Sequence, residues 1–314
     1  MKRSRFITKA EIVLKGHILN WPWREHLERR RARGRATAEA VGSFLDFLVP
    51  SIKANSGAFP SGKADSGESR PQTGNQPEKE RIFSIWLQGQ DRAPKIVQAC
   101  WGSIRANCTQ ELVVLDADSL PQWVDIPEHI IEKWKSGKMR PAHFTDICRL
   151  ALLYRHGGLW LDSTDFVSAP IPQWILDEDF FVYLSGDTLK GSYSFIQNCF
   201  IRGRKGNYLT KAWLDAVLEY WKSEDSVIEY FVHQLIFRKV VENDPVAASL
   251  FERMPKVCQD ATHELWFGNG GKPFDEPGFR RMTGAAAFQK TEYKSSLAIN
   301  PPAGSFAEKV MNMY

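Results

Sequence analysis

From residue 82 onward, short apolar runs alternate with segments whose apolar residues recur at helical spacing. Residues 82–87 and 112–115 are nearly continuous apolar runs, which predict buried strands. Between them, a segment that opens at Pro94 places apolar side chains three and four residues apart, which predicts a helix. Later runs predict strands at 180–184 and 195–201 and helices at 208–221 and 227–241. The β-α-β order predicts an α/β fold whose parallel strands are covered by helices.

The segment 144–165, FTDICRLALLYRHGGLWLDSTD, adds a further helix and strand. Thr145 is a candidate N-cap, and Asp146 would then lie in the first turn, where a carboxylate complements the positive end of the helix. Arg149 follows three residues later and shares a face with Asp146. An ordinary ion pair explains the Asp146–Arg149 spacing equally well.

Two glycines end this helix, and the short run 159–161 predicts an interior strand. Asp162 falls at its carboxyl end, the edge at which open α/β sheets bind ligands. Asp162 and Asp165 lie within four residues of each other, and two such carboxylates repel unless a cation is near. Oxygen ligands grouped this way suit Mg²⁺ or Mn²⁺, which share their coordination with substrate phosphates. The pattern therefore favours a metal–phosphate site.

Composition changes sharply before the alternating region. Residues 55–80 are rich in Gly, Ser, Pro and charge, which predicts a flexible linker. Residues 1–54 predict a basic helical extension, and 81–314 predict the folded domain. Trp21, Trp23 and the arginines near residue 30 allow two interpretations: a solvated extension, or an anchor on an anionic membrane surface.

The charge is as uneven as the composition. The chain of 314 residues has a formal charge of +4, but residues 1–35 hold eleven Lys or Arg against three Glu, so the rest is mildly acidic. A nucleic-acid partner ranks last because the folded region adds no basic run of its own. Five scattered cysteines without a C-x-x-C pair favour a reducing compartment. We expect a cytoplasmic protein. If the N-terminal segment is a membrane anchor, residues 1–50 would bind the inner face of the cell membrane peripherally.

The segments IWLQGQDRAPKIVQAC and RPAHFTDICRLALLYRHGGLWLDST, with weaker echoes in IQNCFIRGRKGN and EYFVHQLIF, resemble the bacterial capsular polysaccharide synthesis glycosyltransferases. That family is similar to glycosyltransferase family 32 and to the clostridial glucosylating toxins, which carry a DXD motif. The resemblance covers roughly residues 82–295. It implies a GT-A-like fold, a Rossmann-type sheet flanked by helices that binds a nucleotide-sugar at its carboxyl edge.

The resemblance also assigns roles to individual residues. It implies that Trp86 stacks on the uracil of a UDP-sugar, although core packing is the rival interpretation. It implies that Asp146 and Arg149 contact the donor's sugar and ribose and that Asp162 is the first acid of the DXD motif. Further residues implied in donor binding are Gln88, Gly158 and Thr164. The implied catalytic residues are Asp162, Arg149 and Asp146, and the implied metal ligands are Asp162, Thr164 and Asp165.

The sequence departs from the family pattern at two places. Thr164 occupies the second acid position of DXD, and Asp165 is the nearest replacement. Gln289 falls where the family tends to carry a histidine that helps to hold the metal diphosphate. The next residue, Lys290, is either a phosphate contact or a solvated lysine.

The resemblance therefore implies a metal-assisted hexosyltransferase. It would use Mn²⁺ or Mg²⁺, move a hexose from a UDP-sugar to a glycan or lipid-linked acceptor, and retain the anomeric configuration. Two alternatives stay open: a catalytically weak relative that acts as a binding or scaffold subunit, and a nucleic-acid-binding protein. Thr164 and Gln289 motivate the first alternative, and the arginine run alone motivates the second.

Overall fold

The computed structural model describes residues 34–58, 80–186 and 194–314. Residues 1–33 of the predicted membrane anchor and most of the predicted linker lie outside these residues. Residues 34–44 are helical. The strands of the described part are β1 (Arg81–Ile85), β2 (Glu111–Leu115), β3 (Gly158–Leu161), β4 (Asp165–Phe166), β5 (Phe180–Leu184), β6 (Ile196–Gly203) and β7 (Gln289–Lys290). The helices that follow residue 44 are α1 (Val49–Asn55), α2 (Lys95–Asn107), α3 (Glu128–Lys135), α4 (Pro141–His156), α5 (Gln173–Leu176), α6 (Tyr208–Ser223), α7 (Val232–Asn243), α8 (Pro245–Arg253), α9 (Glu276–Gly284), α10 (Ser296–Ile299) and α11 (Phe306–Met311).

Five strands form the central sheet in the order β2-β1-β3-β6-β5. β1 pairs in parallel with β2 and with β3, as the β-α-β pattern predicts. β6 runs antiparallel to both β3 and β5, a direction that the apolar runs alone did not specify. The predicted α/β class, with a Rossmann-type sheet flanked by helices, is confirmed.

Helices cover both faces of this sheet. The Phe83 ring lies 5.8 Å from the His156 ring of α4. The neighbouring Ser84 hydroxyl accepts a hydrogen bond of 3.2 Å from the indole of Trp101 in α2. Because successive side chains in a strand point to opposite faces, α4 and α2 lie on opposite sides of β1. The sheet is therefore the middle of three layers, and all four residues of β3 are buried.

Helix α4 begins earlier than predicted. It starts at Pro141, with Arg140 at the N-cap position, so Thr145 is an interior residue and not the cap. Proline suits the first helical position because its ring presets the backbone angle and its missing N–H is not needed there. The prediction that Asp146 lies in the first turn is therefore wrong. The predicted glycine cap holds, since Gly157 ends the helix with a φ of 70°.

The start of α7 also differs from the prediction. The sequence predicts a helix over 227–241, but the structure begins it at Val232. The amide of Phe231 bonds the carboxylate of Glu229, so a turn precedes the helix.

The described part of the N-terminal segment packs against the domain that follows it. Leu45 and Leu48 are completely buried. The Asp46 carboxylate lies 2.9 Å from the ammonium of Lys239 in α7, and Ser56 donates to Asp244. Residues 34–58 therefore share the core of the folded domain, although the division of the chain at residues 54 and 80 stays a prediction.

A second, two-stranded sheet joins distant parts of the chain. β4 pairs antiparallel with β7, so that Asp165 lies opposite Lys290 and Phe166 opposite Gln289. The backbone amide and the hydroxyl of Thr291 both donate to the carbonyl of Thr164, at 2.8 and 2.9 Å. This pairing fixes β7 beside the turn that follows β3. Within the described ranges, no helix is long and apolar enough to cross a bilayer.

Candidate functional site

A cavity of about 440 Å³ opens at the carboxyl ends of β1 and β3. The edge matches the rule for ligand sites in open α/β sheets. It brings together residues that are far apart in sequence and that the sequence analysis assigned to the donor site. Those on its lining are Trp86, Gln88, Asp146, Arg149, Asp162 and Thr164.

Two predicted site residues do not line the cavity. Gly158 begins β3, at the strand end away from Asp162, and has a φ of 108°. A side chain there would collide with the Arg81 carbonyl, so close strand packing explains the glycine. Asp165 has no exposed surface and lies behind the cavity wall. The structure thus brings neither Gly158 nor Asp165 to the cavity surface.

Arg149 forms one side of the cavity floor. Its Nη2 lies 3.0 Å from Asp146 Oδ1 and 3.3 Å from Asp162 Oδ1, and its Nη1 donates to the carbonyl of Asn198. The guanidinium carbon lies 4.8 Å from the centre of the Trp160 ring, a cation–π contact. Asn198 also donates to Asp146 Oδ1 at 2.9 Å. The predicted Asp146–Arg149 pair is therefore a buried, multiply bonded unit and not a surface ion pair.

Lys290 forms the other side of the floor. Its ammonium donates to Asp162 Oδ2 at 2.7 Å, to Thr164 Oγ1 at 2.9 Å and to Asp165 Oδ1 at 3.1 Å. Asp162 therefore bridges Arg149 and Lys290. The resulting row of charges alternates in sign from Asp146 through Arg149, Asp162 and Lys290 to Asp165.

The pKa values of these groups follow from burial and from their neighbours. Burial alone would raise the pKa of Asp162, but the charges of Lys290 and Arg149 hold it below its ordinary value. Burial raises the pKa of Asp165 to about 8, against the opposing charge of Lys290. Burial would lower the pKa of Lys290, yet Asp162 and Asp165 raise it, so its ammonium stays charged. Burial would also lower the pKa of Arg149, but the charges of Asp146 and Asp162 raise it, so the guanidinium stays charged.

Neighbouring residues in β7 have opposite roles. The amide of Gln289 donates to the carbonyls of Ala261 and Met282 at 3.0 and 2.9 Å and accepts from the Leu265 amide at 3.2 Å. Gln289 is completely buried and is not on the cavity lining. The prediction of Gln289 as a weak replacement for a metal-binding histidine is therefore wrong. Its structural role leaves Lys290, on the other face of β7, to meet the acids.

The oxygens predicted to bind Mn²⁺ or Mg²⁺ do not fit a divalent ion in this arrangement. A metal held by Asp162, Thr164 and Asp165 would have to occupy the place where the Lys290 ammonium sits. Among the residues that the structure describes, no group of three or more His, Cys, Asp or Glu side chains is placed to hold a metal ion. The use of a metal remains a prediction that no observation here tests.

Trp86 lies on the cavity wall, and its indole nitrogen is buried. Its ring meets the Tyr293 ring edge to face, with centres 5.0 Å apart. Its Nε1 has no hydrogen-bond partner within the described part of the chain. Trp86 is half-buried and packs against the core, so the core-packing interpretation still stands beside its place on the cavity lining. Its stacking on a base stays a prediction.

The sequence analysis missed several polar residues that line the same cavity. His143 precedes the predicted start of α4, and its Nδ1 lies 3.4 Å from Asp146 Oδ2. Gln234 donates to Asn198 Oδ1 at 3.2 Å, and the Tyr230 ring lies 5.7 Å from the His143 ring. The available signal was their place in the family segments: His143 falls in the central segment, and Asn198, Tyr230 and Gln234 fall in the two weaker ones.

Comparisons with known proteins match the chain to a family model, a curated protein and a solved structure. A family model described as capsular polysaccharide synthesis protein matches residues 58–310. An O-glycosyltransferase, braB of Annulohypoxylon truncatum, is 26% identical over 129 residues, which are 38% of this chain and 31% of that protein. The chain thus matches less than a third of the length of that relative. Among solved structures, the PaToxG glycosyltransferase aligns with 88% of this chain and 98% of its own, at 15% identity and a TM-score of 0.37.

Proposed function

Since the chain belongs to the capsular polysaccharide synthesis protein family, we propose that it is a glycosyltransferase that moves a hexose from a UDP-sugar to a glycan hydroxyl. The observation that carries this proposal is the cavity floor, where Arg149 and Lys290 present two permanent cations beside the predicted donor-binding residues. A nucleoside diphosphate-sugar is the substrate class that needs both an aromatic contact for its base and positive charge for its diphosphate. The cavity offers Trp86 for the first and the two cations for the second.

The reaction exchanges one carbon–oxygen bond for another. The bond between the anomeric carbon and the diphosphate oxygen breaks, and its electron pair leaves with UDP. The acceptor oxygen bonds the anomeric carbon, and the acceptor proton passes to the departing phosphate. Negative charge grows on the diphosphate as the bond breaks, so fixed positive charge nearby lowers the barrier. Transfer on the same face of the sugar, with retained configuration, is part of the proposal through the family resemblance.

The acceptor side is less defined than the donor side. His143, Tyr230 and Gln234 lie on the cavity lining near Asp146 and Asn198 and would supply polar contacts for a sugar hydroxyl. A lipid-linked acceptor would explain a membrane-binding extension. Co-sedimentation with anionic vesicles, with and without residues 1–33, tests this; equal binding would remove the anchor. The deletion must stop there, because Ala38, Val41 and Leu45 belong to the core.

The proposal predicts that one or a few UDP-sugars are turned over. UDP release is measured for a panel of UDP-sugars with a mixed glycan acceptor, and donor binding is followed by the rise in melting temperature. Asp162→Asn is expected to reduce turnover at least about 100-fold, because the variant removes the charge that orients both cations. Asp125→Asn, at an exposed pair on the surface, is the matched control.

The same measurements separate the enzyme from a scaffold subunit. A donor that stabilises the protein but is never turned over would support the binding alternative. If no nucleotide-sugar either binds or reacts, the glycosyltransferase proposal fails.

A further inference from the structure

We propose that the Lys290 ammonium takes the place of a divalent cation in this protein and neutralises the diphosphate of the donor. The inference deepens the proposed function and rests on it for the identity of the ligand. Its structural basis, however, is a set of contacts that exists without any donor.

The first observation is the position of the ammonium. Lys290 Nζ lies 2.7, 2.9 and 3.1 Å from oxygens of Asp162, Thr164 and Asp165, the three residues that the sequence predicts as metal ligands. An ammonium has three donors, and each finds one of these oxygens. One side chain thus satisfies the whole set that a metal ion would use.

The second observation is that the backbone dictates this position. Lys290 lies directly opposite Asp165 in the β4–β7 pair. Thr291 bonds the Thr164 carbonyl twice, and Gln289 is anchored to three backbone groups on the other side of β7. Displacing Lys290 from the acids would require its side chain to leave three charged or polar partners. The contact is therefore part of the fold and not a chance orientation of a surface lysine.

The third observation concerns access. Lys290 lies on the cavity lining, whereas Asp165 has no exposed surface. The lysine therefore stands between the buried acid and any ligand in the cavity. A diphosphate that enters meets the ammonium first and replaces one of its three oxygen contacts, while Asp162 keeps Lys290 oriented.

The charge balance agrees with this arrangement. Asp162 is neutralised from both sides, because its Oδ1 lies 3.3 Å from Arg149 and its Oδ2 lies 2.7 Å from Lys290. A divalent cation beside these oxygens would be repelled by the two cations already present, whereas a diphosphate would be attracted to them.

The experiment measures metal binding and donor turnover separately. Mn²⁺ binding is titrated by electron paramagnetic resonance on the full-length protein, and UDP release is measured in EDTA and in Mn²⁺. The inference predicts that EDTA changes wild-type turnover by less than about twofold, since no metal carries the leaving-group charge. It predicts no Mn²⁺ bound at the Asp162 site of the wild type.

The variant Lys290→Ala should lose at least about 100-fold of its turnover in EDTA. It should also gain Mn²⁺ binding that Asp162→Asn abolishes in the double variant. Lys272→Ala, an exposed lysine that bonds Asn269, is the control and should behave as the wild type.

Two results would overturn the inference while leaving the transferase intact: wild-type turnover that disappears in EDTA, or wild-type Mn²⁺ binding that Asp162→Asn removes. Neither result depends on Lys290→Ala, so the inference can still be tested if that variant folds poorly. Failure of every donor to bind, with or without Mn²⁺, would instead remove the proposed function, and the Mn²⁺ titration would still decide whether Lys290 fills the metal position.

Discussion

Arg149 and Lys290 are the two cations of the cavity, and they are held in different ways. Arg149 projects from the 16-residue helix α4, and its guanidinium contacts Asp146, Asp162, the Asn198 carbonyl and the face of Trp160. Lys290 projects from a strand of two residues, and its ammonium contacts only side-chain oxygens.

The difference separates a fixed side of the site from an adjustable one. A planar guanidinium held on several edges has one orientation, whereas an ammonium on a four-carbon stem can exchange one oxygen for another. Asp162 touches both cations and couples the two sides. We therefore expect the Arg149 side to determine where the donor lies and the Lys290 side to respond to its charge.

The largest expected effect on stability and turnover comes from replacing Arg149, the cation of the fixed side. Arg149→Met leaves the buried Asp146 carboxylate without its cation, which should lower the free energy of unfolding by about 3–5 kcal/mol. Turnover of the donor should fall at least about 100-fold. Urea unfolding and UDP release measure the two effects.

Arg155 in the same helix provides the matched control. Its ion pair with Asp125 is exposed, with the two side chains 52% and 92% accessible, so Arg155→Met should cost about 1 kcal/mol or less. Equal losses in the two variants would show that Arg149 stabilises α4 in general and is not a specific part of the site.

Removing the hydrogen bonds that anchor β7, the strand that carries Lys290, should lower the free energy of unfolding less than Arg149→Met does. Gln289→Leu keeps the apolar volume but leaves the Leu265 amide and the carbonyls of Ala261 and Met282 without their partner. Unmade hydrogen bonds at a buried site predict a loss of about 2 kcal/mol in the free energy of unfolding. Gln173→Leu, at an exposed glutamine that bonds Asp177, should change stability by less than about 0.5 kcal/mol.

Measuring turnover in Gln289→Leu shows whether the loss of these hydrogen bonds also affects Lys290. Gln289 does not line the cavity, so any loss of activity in Gln289→Leu must come through a shift of Lys290 in the next position. A variant that is destabilised but keeps the wild-type turnover per folded molecule would show that β7 holds its register without Gln289.

The two sides also differ in how far the sequence predicts them. Asp146 and Arg149 are three residues apart in a helix, and Asp162 ends a continuous apolar strand, so local periodicity places all three. The β1-α2-β2 unit is predicted within one to three residues at most boundaries for the same reason. The antiparallel direction of β6 is a tertiary outcome that no local pattern specifies, whereas Pro141 was a local signal for the start of α4 that the choice of Thr145 as N-cap overlooked.

Lys290 illustrates the limit of local patterns. It meets Asp162 across 128 positions of sequence, through a strand pair only two residues long. The sequence analysis identified Lys290 as a phosphate contact or a solvated lysine, and neither alternative includes three bonds to the acid cluster. The family position marked Gln289 as a departure from a metal-binding histidine, but the alternation of side chains along the strand turns Gln289 inward and Lys290 to the acids.

The smallest expected effect is the contrast between two histidines, one on each side of the cavity, in how stability depends on pH. His233 lies behind Asp146, where burial lowers its pKa to about 3, and His263 lies near Lys290, where burial lowers its pKa to about 4. Both are neutral when folded, whereas an unfolded histidine binds a proton below about pH 6.5. The unfolded state therefore gains protons as the pH falls, and each histidine should remove up to about 1.4 kcal/mol of stability per pH unit below that value.

Single variants separate the two contributions. In urea unfolding from pH 7 to pH 3.5, His233→Gln should flatten the loss of stability over the whole acidic range, because the pKa of about 3 for folded His233 lies below that range. His263→Gln should flatten it only down to about pH 4, where the folded protein begins to protonate His263 as well. Identical profiles for the two variants would mean that the fixed and adjustable sides of the cavity do not differ in how deeply they bury their histidines.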